Sequence, residues 1–259
     1  MNQVLEQLDR NTLVGFLLVL SRVAPLFLLT PPFSSSMVPL RARSIIAVAL
    51  SIGLAPLALH GQQIPGDAMR ITELALKEIV VGLGFALAVA CLFAAMDAAG
   101  SILDTQIGFS FGSLVNPVDN QQSGPMSQVY SMLAVAVFIA IDGESWVIRG
   151  LARTYELVPM LALPSISRLT AGVTAALGGT FAAALEVAAP VLLALILTDV
   201  AFGVVSRVVP QLNVFAVGFP MKVIVGLLVV GVSLTFVGGW FYDQLQRSVE
   251  SGLVGIGVG

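Results

Sequence analysis

Residues 199–222 read DVAFGVVSRVVPQLNVFAVGFPMK and join two long apolar runs. The segment holds one acidic residue, two basic residues, two prolines and a central asparagine. An ionisable group inside hydrocarbon costs roughly 2.5 to 3.5 kcal/mol on insertion scales, and backbone groups freed by proline need new partners. The pattern therefore predicts a segment that packs against protein or lines a polar path, and not a simple lipid-facing hairpin.

The composition places the chain among integral membrane proteins. Of its 259 residues, 57% are hydrophobic and only 10% are charged, whereas soluble domains carry about 25% charged residues. The net charge of −3 gives no basic field that would attract nucleic acid. One cysteine and one histidine cannot build a metal or haem site from side-chain clusters. We therefore predict no metal, no cofactor, no catalytic residue and no nucleic-acid partner.

Hydrophobic segments indicate the fold class. A spanning helix needs roughly 20 mostly apolar residues, and the chain offers about six candidates. The second and fourth are short for a span, and the fifth and sixth are long and interrupted, which is typical of discontinuous or re-entrant helices. We predict an all-α integral membrane protein of about six hydrophobic, partly broken helices. The candidates are Leu13–Leu29, Ser44–Leu59, Ile79–Met96, Val129–Ile141, Val173–Thr198 and Val214–Trp240.

Two regions outside these candidates also have helical patterns. The residues from Thr72 through Ile107 are consistent with one long helix. The segment Gly143–Arg168 mixes aromatic, leucine and arginine residues, which predicts an interfacial helix ended by Pro159 and Pro164. No linker or low-complexity run divides the chain, so residues 1–259 are predicted to form one membrane-embedded domain.

Residues 108–126 read GFSFGSLVNPVDNQQSGPM and show no periodicity. Structureless loops longer than about 12–15 residues are uncommon in compact domains and are usually functional or disordered. The apolar residues of the first half would not stay in water, so the segment is expected to tuck into a cavity as a plug. A loop lying on the membrane interface is the alternative. The candidate plug residues are Gly108, Phe109, Ser110, Phe111, Leu114, Val115 and Pro117.

The same segment contains a match to the Gly-x-Ser-x-Gly nucleophile elbow at Gly108–Gly112. That motif needs a strand before it, a helix after it, and an acid and a histidine downstream. Here a predicted helix precedes it, and the only histidine, His60, lies upstream. A serine-dependent intramembrane hydrolase is therefore disfavoured, and the protein is predicted not to be an enzyme.

Ionisable residues in or beside apolar runs mark candidate sites. They either fix how helices and subunits dock or form a titrating ion path. Asp97, Gly100 and Asp104 share one helix face, so this face is expected to meet another helix closely at Gly100 or to face a polar lumen. The candidate subunit-docking charges are Arg22, Asp104, Glu186, Asp199, Arg207 and Lys222.

The order of several motifs resembles the FliR family of flagellar type III export-gate proteins. The resemblance is most specific in the run Leu197–Lys222, with LTD, QLNVF and GFPMK. SRVAP at Ser21–Pro25, DTQIGFS at Asp104–Ser110 and AIDG at Ala140–Gly143 agree with it in order. The related injectisome proteins usually diverge in the first of these runs, so the resemblance favours the flagellar branch.

The resemblance implies a non-enzymatic subunit of a hetero-oligomeric export gate. FliR-like proteins assemble with FliP- and FliQ-type subunits into a closed helical pore, and an FlhB-type subunit wraps the complex. This gate lies in the bacterial inner membrane at the flagellar basal body and passes unfolded flagellar substrates. The resemblance also implies bent hairpins, with a FliP-like part over 1–170, a plug loop at 108–126 and a FliQ-like hairpin over 171–259.

A function of another class stays open at this stage. A secondary transporter with discontinuous helices around a midplane site would have similar short and interrupted apolar segments. The transporter predicts solute uptake by the purified chain alone, whereas the gate predicts a large hetero-oligomer with small membrane partners.

Overall fold

The computed structural model describes residues 10–34, 38–59, 62, 64–110, 124–209, 211 and 213–256. These residues are mostly helical and contain no strand, and several of the helices are long and apolar enough to cross a membrane. The protein is therefore an all-α integral membrane protein. The helices are α1 (Arg10–Leu29), α2 (Pro31–Ser34), α3 (Leu40–Ala58), α4 (Ala68–Ile107), α5 (Pro125–Ala140), α6 (Gly143–Leu157), α7 (Ile166–Val208) and α8 (Val214–Ile256).

Five helices in the described parts of the chain are long and apolar enough to cross a membrane. The number rises to six if α5 and α6 are taken as one bent span. The prediction of about six hydrophobic segments is confirmed, and each predicted segment falls on a different one of these spans. The spans are α1, α3, α4, α7 and α8, with α5 and α6 as the bent pair.

The predicted interruptions of the last two segments are wrong. α7 and α8 are each continuous over 43 residues, with Pro190 inside α7 and Pro220 inside α8. Proline removes one backbone hydrogen bond and crowds the preceding turn, but neighbouring groups can compensate for this inside membrane helices. The break lies between Val208 and Val214, where α7 ends and α8 begins.

The two other predicted helices are both present, and the interfacial position of the second stays a prediction. α4 is one helix of 40 residues that ends at Ile107. α6 ends at Leu157, and Val158 leaves the helical region with φ −129° and ψ 84°. The end falls there because the residue before a proline disfavours helical backbone, and Pro159 follows.

The described residues fall into two compact units that interleave along the chain. The first unit takes its residues from Met1–Cys91, Asp142–Gly178 and Leu245–Gly259. The second takes them from Leu92–Ile141 and Gly179–Gln244. The predicted division of the chain between residues 170 and 171 stays a prediction.

Close backbone contacts shape the first unit. Gly82 on α4 lies against the backbone carbonyl of Arg22 on α1, so closely that a Cβ atom at residue 82 would overlap it. Gly172 on α7 and Gly255 on α8 are packed backbone to backbone in the same way. Small residues allow this approach of helices in membranes, and it brings buried polar groups of α1 and α4 within bonding distance.

Aromatic and small residues form the interior of the second unit. The ring of Phe93 packs edge-on against Phe138 at 5.5 Å and against Phe241 at 5.7 Å between centroids. Gly226 on α8 leaves room for the side chain of Ile107. These contacts pack the part of α4 that belongs to the second unit against α5 and α8. Of the most apolar 18 residues of α4, 61% are buried.

The long helices α7 and α8 remain largely uncovered by contrast. Within the most apolar stretch of 18 residues, only 22% of the residues of α7 and 28% of those of α8 are buried in the chain. Leu193, Leu197 and Val204 on α7 each expose more than half of their surface. This surface is therefore available to lipid or to other protein subunits.

Candidate functional site

One face of α4 meets the beginning of α5 in the second unit. Asp97 accepts hydrogen bonds at Oδ1 from the hydroxyls of Ser127 at 2.5 Å and Ser131 at 3.0 Å. Gly100 lies directly against the backbone of Ser127, where a Cβ atom would overlap it. The predicted close approach of a second helix at Gly100 is confirmed.

Asp104 completes the same face and caps α5 from a distance of 22 residues. Its Oδ1 accepts a hydrogen bond from the amide of Met126, and its Oδ2 accepts one from the amide of Ser127, both at 2.9 Å. The side chain is 3% exposed. A carboxylate at a helix N-terminus satisfies amides that have no partner inside the helix, so this charge has its partners within the chain.

The ends of the candidate plug segment lie beside Asp104. Gly108 ends α4 with φ 102°, a backbone conformation that glycine adopts without steric cost, and its amide donates to the carbonyl of Asp104 at 3.0 Å. Gly124 enters α5 so close to the Asp104 carboxylate that a side chain at residue 124 would overlap it. Gly108 and Gly124, near the two ends of the candidate plug segment, therefore both contact Asp104.

Only three of the seven candidate plug residues are among the described residues. Gly108 is buried, and Phe109 and Ser110 are partly buried. The other four candidates, Phe111, Leu114, Val115 and Pro117, lie outside the described residues. Their role as a plug stays a prediction.

Asp199 and Lys222 form an ion pair that joins α7 to α8. The Lys222 ammonium lies 2.9 Å from Oδ1 and 3.0 Å from Oδ2 of Asp199, and the Gln106 amide donates to the same Oδ2 at 3.2 Å. The carboxylate side chain is 45% exposed and the lysine side chain 20%. The sequence located both charges, and the structure shows that they are each other's partner.

The two other exposed charges of the predicted docking set are in the same unit. Glu186 and Arg207 both lie on α7 and are exposed. Neither makes an ion pair with another residue of the described chain. Each is surrounded by the largely apolar surface of this helix, where an uncompensated charge facing lipid is costly.

Arg22 is fully buried in the first unit and lies within a polar cluster. Its Nε donates to Oε2 of Glu78, and its Nη2 donates to Oε1 of the same carboxylate at 3.0 Å. Nη1 donates to the Thr154 hydroxyl at 3.2 Å. The guanidinium carbon lies 4.1 Å from the ring centroid of Tyr155, an arrangement that stabilises a cation.

Lys77 and the end of α6 complete this cluster. The Lys77 ammonium lies 2.8 Å from Oε1 of Glu78 and donates to the carbonyls of Pro159 at 3.0 Å and Met160 at 2.7 Å. Arg22 also donates to the carbonyl of Val158 at 2.9 Å. Two cations thus share one carboxylate and the negative end of the α6 dipole.

Sequence reasoning singled out Arg22 but missed its partners. Lys77 and Glu78 immediately precede the apolar run Ile79–Met96, which is the signal that could have indicated a counter-charge for an arginine inside a span. Arg22 and Asp104 are buried against their own chain, and the role in subunit docking stays a prediction for all six charges.

The described residues offer no metal cluster, and one groove among them has mainly apolar walls. No group of three or more histidine, cysteine, aspartate or glutamate side chains could hold a metal ion there. An open groove of about 500 Å³ lies in the first unit, lined mainly by apolar side chains such as Val80, Leu83 and Leu169. The hydroxyls of Thr170 and Thr174 in its wall donate to carbonyls of their own helix.

The fold and these sites define a class, an all-α membrane protein with a large uncovered helical surface. A comparison with known families gives the particular one. The sequence profile described as "Bacterial export proteins, family 1" matches residues 13–248. Because the match covers nearly the whole chain, the protein belongs to this family. It is a family of export components and not of enzymes.

Curated relatives agree with this assignment. The flagellar biosynthetic protein FliR of Bacillus subtilis (strain 168) is 30% identical over 232 residues, covering 86% of this chain and 88% of the relative. FliR of Escherichia coli (strain K12) is 29% identical over 80% of this chain and 79% of the relative. The surface presentation of antigens protein SpaR of Salmonella typhimurium is 26% identical, with 86% and 90% covered. The resemblance to the FliR family is confirmed.

Proposed function

We propose that this chain is a subunit of the flagellar type III protein export gate. It forms a closed pore for unfolded flagellar substrates with FliP- and FliQ-type subunits, and an FlhB-type subunit contacts the assembly. The pore lies in the bacterial inner membrane at the flagellar basal body, and residues 108–126 block it. The observation that carries the proposal is the uncovered, charge-bearing surface of α7 and α8 in a member of a bacterial export family.

That surface supports an assembly with other subunits. Most of the apolar surface of α7 and α8 is exposed, and the charged residues Glu186 and Arg207 on α7 are exposed as well. Lipid would accept the apolar residues but penalise the charges by roughly 2.5 to 3.5 kcal/mol each. Neighbouring subunits that offer opposite charges or a polar lumen would satisfy both kinds of residue.

The geometry around Asp104 supports the role of the plug segment. Gly108 and Gly124 both lie against this one residue, so the two ends of the segment are close together. Loops of this length inside compact proteins are usually functional. A segment with Phe109 and Phe111 near its start suits a seal that excludes water and ions.

The proposed division follows the family resemblance. Residues 1–170 correspond to the FliP-like part and residues 171–259 to the FliQ-like hairpin. The pairing of Asp199 with Lys222 across α7 and α8 supports a hairpin in the second of these parts. The predicted bent hairpins are part of the same proposal.

The secondary transporter remains the alternative, but no described feature favours it. A transported ion or polar solute needs polar groups near the midplane. The described groove has mainly apolar walls, and the exposed carboxylate of Asp199 on α7 already pairs with Lys222.

A loop variant tests the gate. The complex is purified with its partner subunits, and residues 110–119 are either deleted or replaced by glycine and serine at equal length. We expect both variants to assemble in wild-type yield and to raise ion conductance in planar bilayers, because the apolar seal is gone. Unchanged conductance at equal yield would overturn the plug.

A pull-down separates the gate from the transporter. Tagged protein extracted in mild detergent is expected to bring down a large hetero-oligomer with two small membrane partners. A monomer that takes up small solutes in liposomes would instead support the transporter.

A further inference from the structure

We infer that the outer face of α3 binds anionic phospholipid. Arg41 lies at the level of the phosphate groups of one leaflet, and Ile45, Val48 and Ile52 lie along its acyl chains. This surface belongs to the first unit and is independent of the proposed export gate.

α3 is the least covered of the long apolar helices in the described parts of the chain. Within its most apolar stretch only 17% of the residues are buried, the lowest share among the five. Its main described packing partners are α1 and, to a smaller extent, α6. Ile45 is 68% exposed and Ile52 is 60% exposed. A large apolar surface of this helix therefore needs an occupant.

The distribution of charge along α3 favours lipid as that occupant. The ionisable residues of the helix are Arg41 and Arg43, both near its start, and no charge follows as far as Ala58. α7 differs, because the charged residue Glu186 lies on its exposed surface and Gly179 leaves open space beside the backbone. Small and polar residues are typical of contacts between helices in membranes, whereas large aliphatic side chains without a charge suit acyl chains.

The helical period places Arg41 at one end of the exposed apolar face. Residues 41, 45, 48 and 52 recur at the spacing of one helix side. With a rise of about 1.5 Å per residue, Arg41 and Ile52 are roughly 16 Å apart along the axis. One leaflet contributes about 15 Å of hydrocarbon. The face therefore extends over one leaflet, from the headgroup region at Arg41 to the midplane near Ile52.

Arg41 has the chemistry to recognise a phosphate. Its side chain is exposed, and a guanidinium group offers five N–H donors in a geometry that matches phosphate oxygens. Arg43 lies about 200° further around the axis, and its Nε donates to the carbonyl of Val38 at 2.9 Å. One basic residue close to an anionic bilayer surface corresponds to roughly a fivefold preference for anionic lipid.

Local quenching of tryptophan fluorescence tests the occupant. Ile45→Trp and Ile52→Trp are made separately in the complex purified with its partner subunits, and the complex is placed in bilayers of brominated phospholipid. The signal of the unmodified complex is subtracted. We expect quenching at residue 45 mainly by bromines near the headgroup end of the chain, and at residue 52 mainly by bromines near the chain terminus.

Two results would overturn a lipid occupant. Stronger quenching by iodide in water than by bromine would show that the face contacts water. Protection from both quenchers would show that a protein subunit covers it.

Mixed bilayers test the headgroup. Brominated phosphatidylglycerol in unbrominated phosphatidylcholine is compared with the reverse labelling, so that quenching at residue 45 gives the local lipid ratio. We expect about fivefold enrichment of the anionic lipid over its bulk share. Arg41→Gln should abolish the enrichment, and Arg41→Lys should keep most of it because the charge remains. A local ratio equal to the bulk ratio would refute the inference, even if Arg41→Gln does not assemble.

Arg43→Gln is the matched comparison, because it removes the same charge from another side of the same helix turn. The enrichment should persist in this variant. Equal loss in Arg41→Gln and Arg43→Gln would assign the effect to general positive charge and contradict the role of Arg41. Inorganic phosphate should displace no more lipid than chloride at the same ionic strength, and stronger displacement by phosphate would indicate a site for free anions instead.

Discussion

Arg22 on α1 and Glu78 on α4 form a two-point ion pair from which water is excluded. Both side chains are fully buried, and the two bonds run from Nε and Nη2 to the two carboxylate oxygens. Burying two charges costs several kcal/mol per ion, which the attraction repays only with good geometry and further hydrogen bonds. Thr154 and the carbonyl of Val158 supply such bonds here.

The first prediction concerns this pair. Glu78→Leu is expected to lower the free energy of unfolding by about 3 to 5 kcal/mol, because it leaves the buried cations Arg22 and Lys77 without their carboxylate. Arg22→Met should cost less, because Lys77 still pairs with Glu78. The double variant should cost less than the sum of the two single variants. Thermal unfolding of the purified protein in detergent, followed by loss of helical signal, measures all three. Strictly additive losses would show that the two residues do not stabilise each other.

The second prediction concerns the contact that brings α1 and α4 together. Gly82→Ala places a methyl group onto the Arg22 carbonyl and is expected to cost about 1 to 3 kcal/mol, as overpacking usually does. Gly53→Ala on α3 is the matched control, since nothing lies within 4 Å of the added atom. The control should be stabilising by about 0.5 to 1 kcal/mol, because alanine favours helices over glycine. Melting temperatures compare the two, and equal shifts would contradict the close packing at residue 82.

The third prediction tests the partnership of Asp199 and Lys222. Asp199→Lys places two lysines side by side and should lower the yield of the complex roughly fivefold, the factor that corresponds to about 1 kcal/mol. The double variant with Lys222→Asp restores opposite charges and should recover most of the yield. Size-exclusion chromatography of the complex extracted in mild detergent gives the yields. If the exchanged pair recovers nothing, each residue faces a different partner.

The fourth prediction separates subunit docking from ion conduction. Arg207→Ala is expected to weaken assembly by about 2 kcal/mol or more, as for the loss of one member of a buried interfacial charge pair, while the conductance of the complex that does form stays as in the wild type. Arg70→Ala is the control, because Arg70 pairs with Glu73 on an exposed surface, where ion pairs contribute about 0 to 1 kcal/mol. Normal assembly of Arg207→Ala with an altered pH dependence of conductance would support a proton path.

Much of the helical architecture could be predicted because it depends on local sequence. The length of an apolar run decides whether a helix can cross hydrocarbon, and this gave six segments that agree with the observed spans. The end of α6 before Pro159 follows from the backbone preference of the residue before proline. The continuity of α7 and α8 was missed, because the cost of Pro190 and Pro220 depends on neighbouring groups that the sequence does not identify.

The candidate site was predictable in part for a related reason. The helical period placed Asp97, Gly100 and Asp104 on one face, and the structure shows that face against Ser127. The period could not identify which helix the face meets. Asp104 accepts hydrogen bonds from the amides of Met126 and Ser127, which are 22 and 23 positions further along the chain. Only the folded structure brings these groups together.

By itself the sequence determined that the protein lies in a membrane, where its helices are and which family it belongs to. These properties follow from hydrophobicity, helical period and motif order along the chain. Only the tertiary structure decided which ionisable side chains have partners within the same chain. Arg22 and Asp104 found their partners through contacts between distant segments, whereas Glu186 and Arg207 stayed at the surface. The physical reason is that a buried charge needs a partner to offset its desolvation. Which charges are buried depends on the packing of helices that are far apart in sequence.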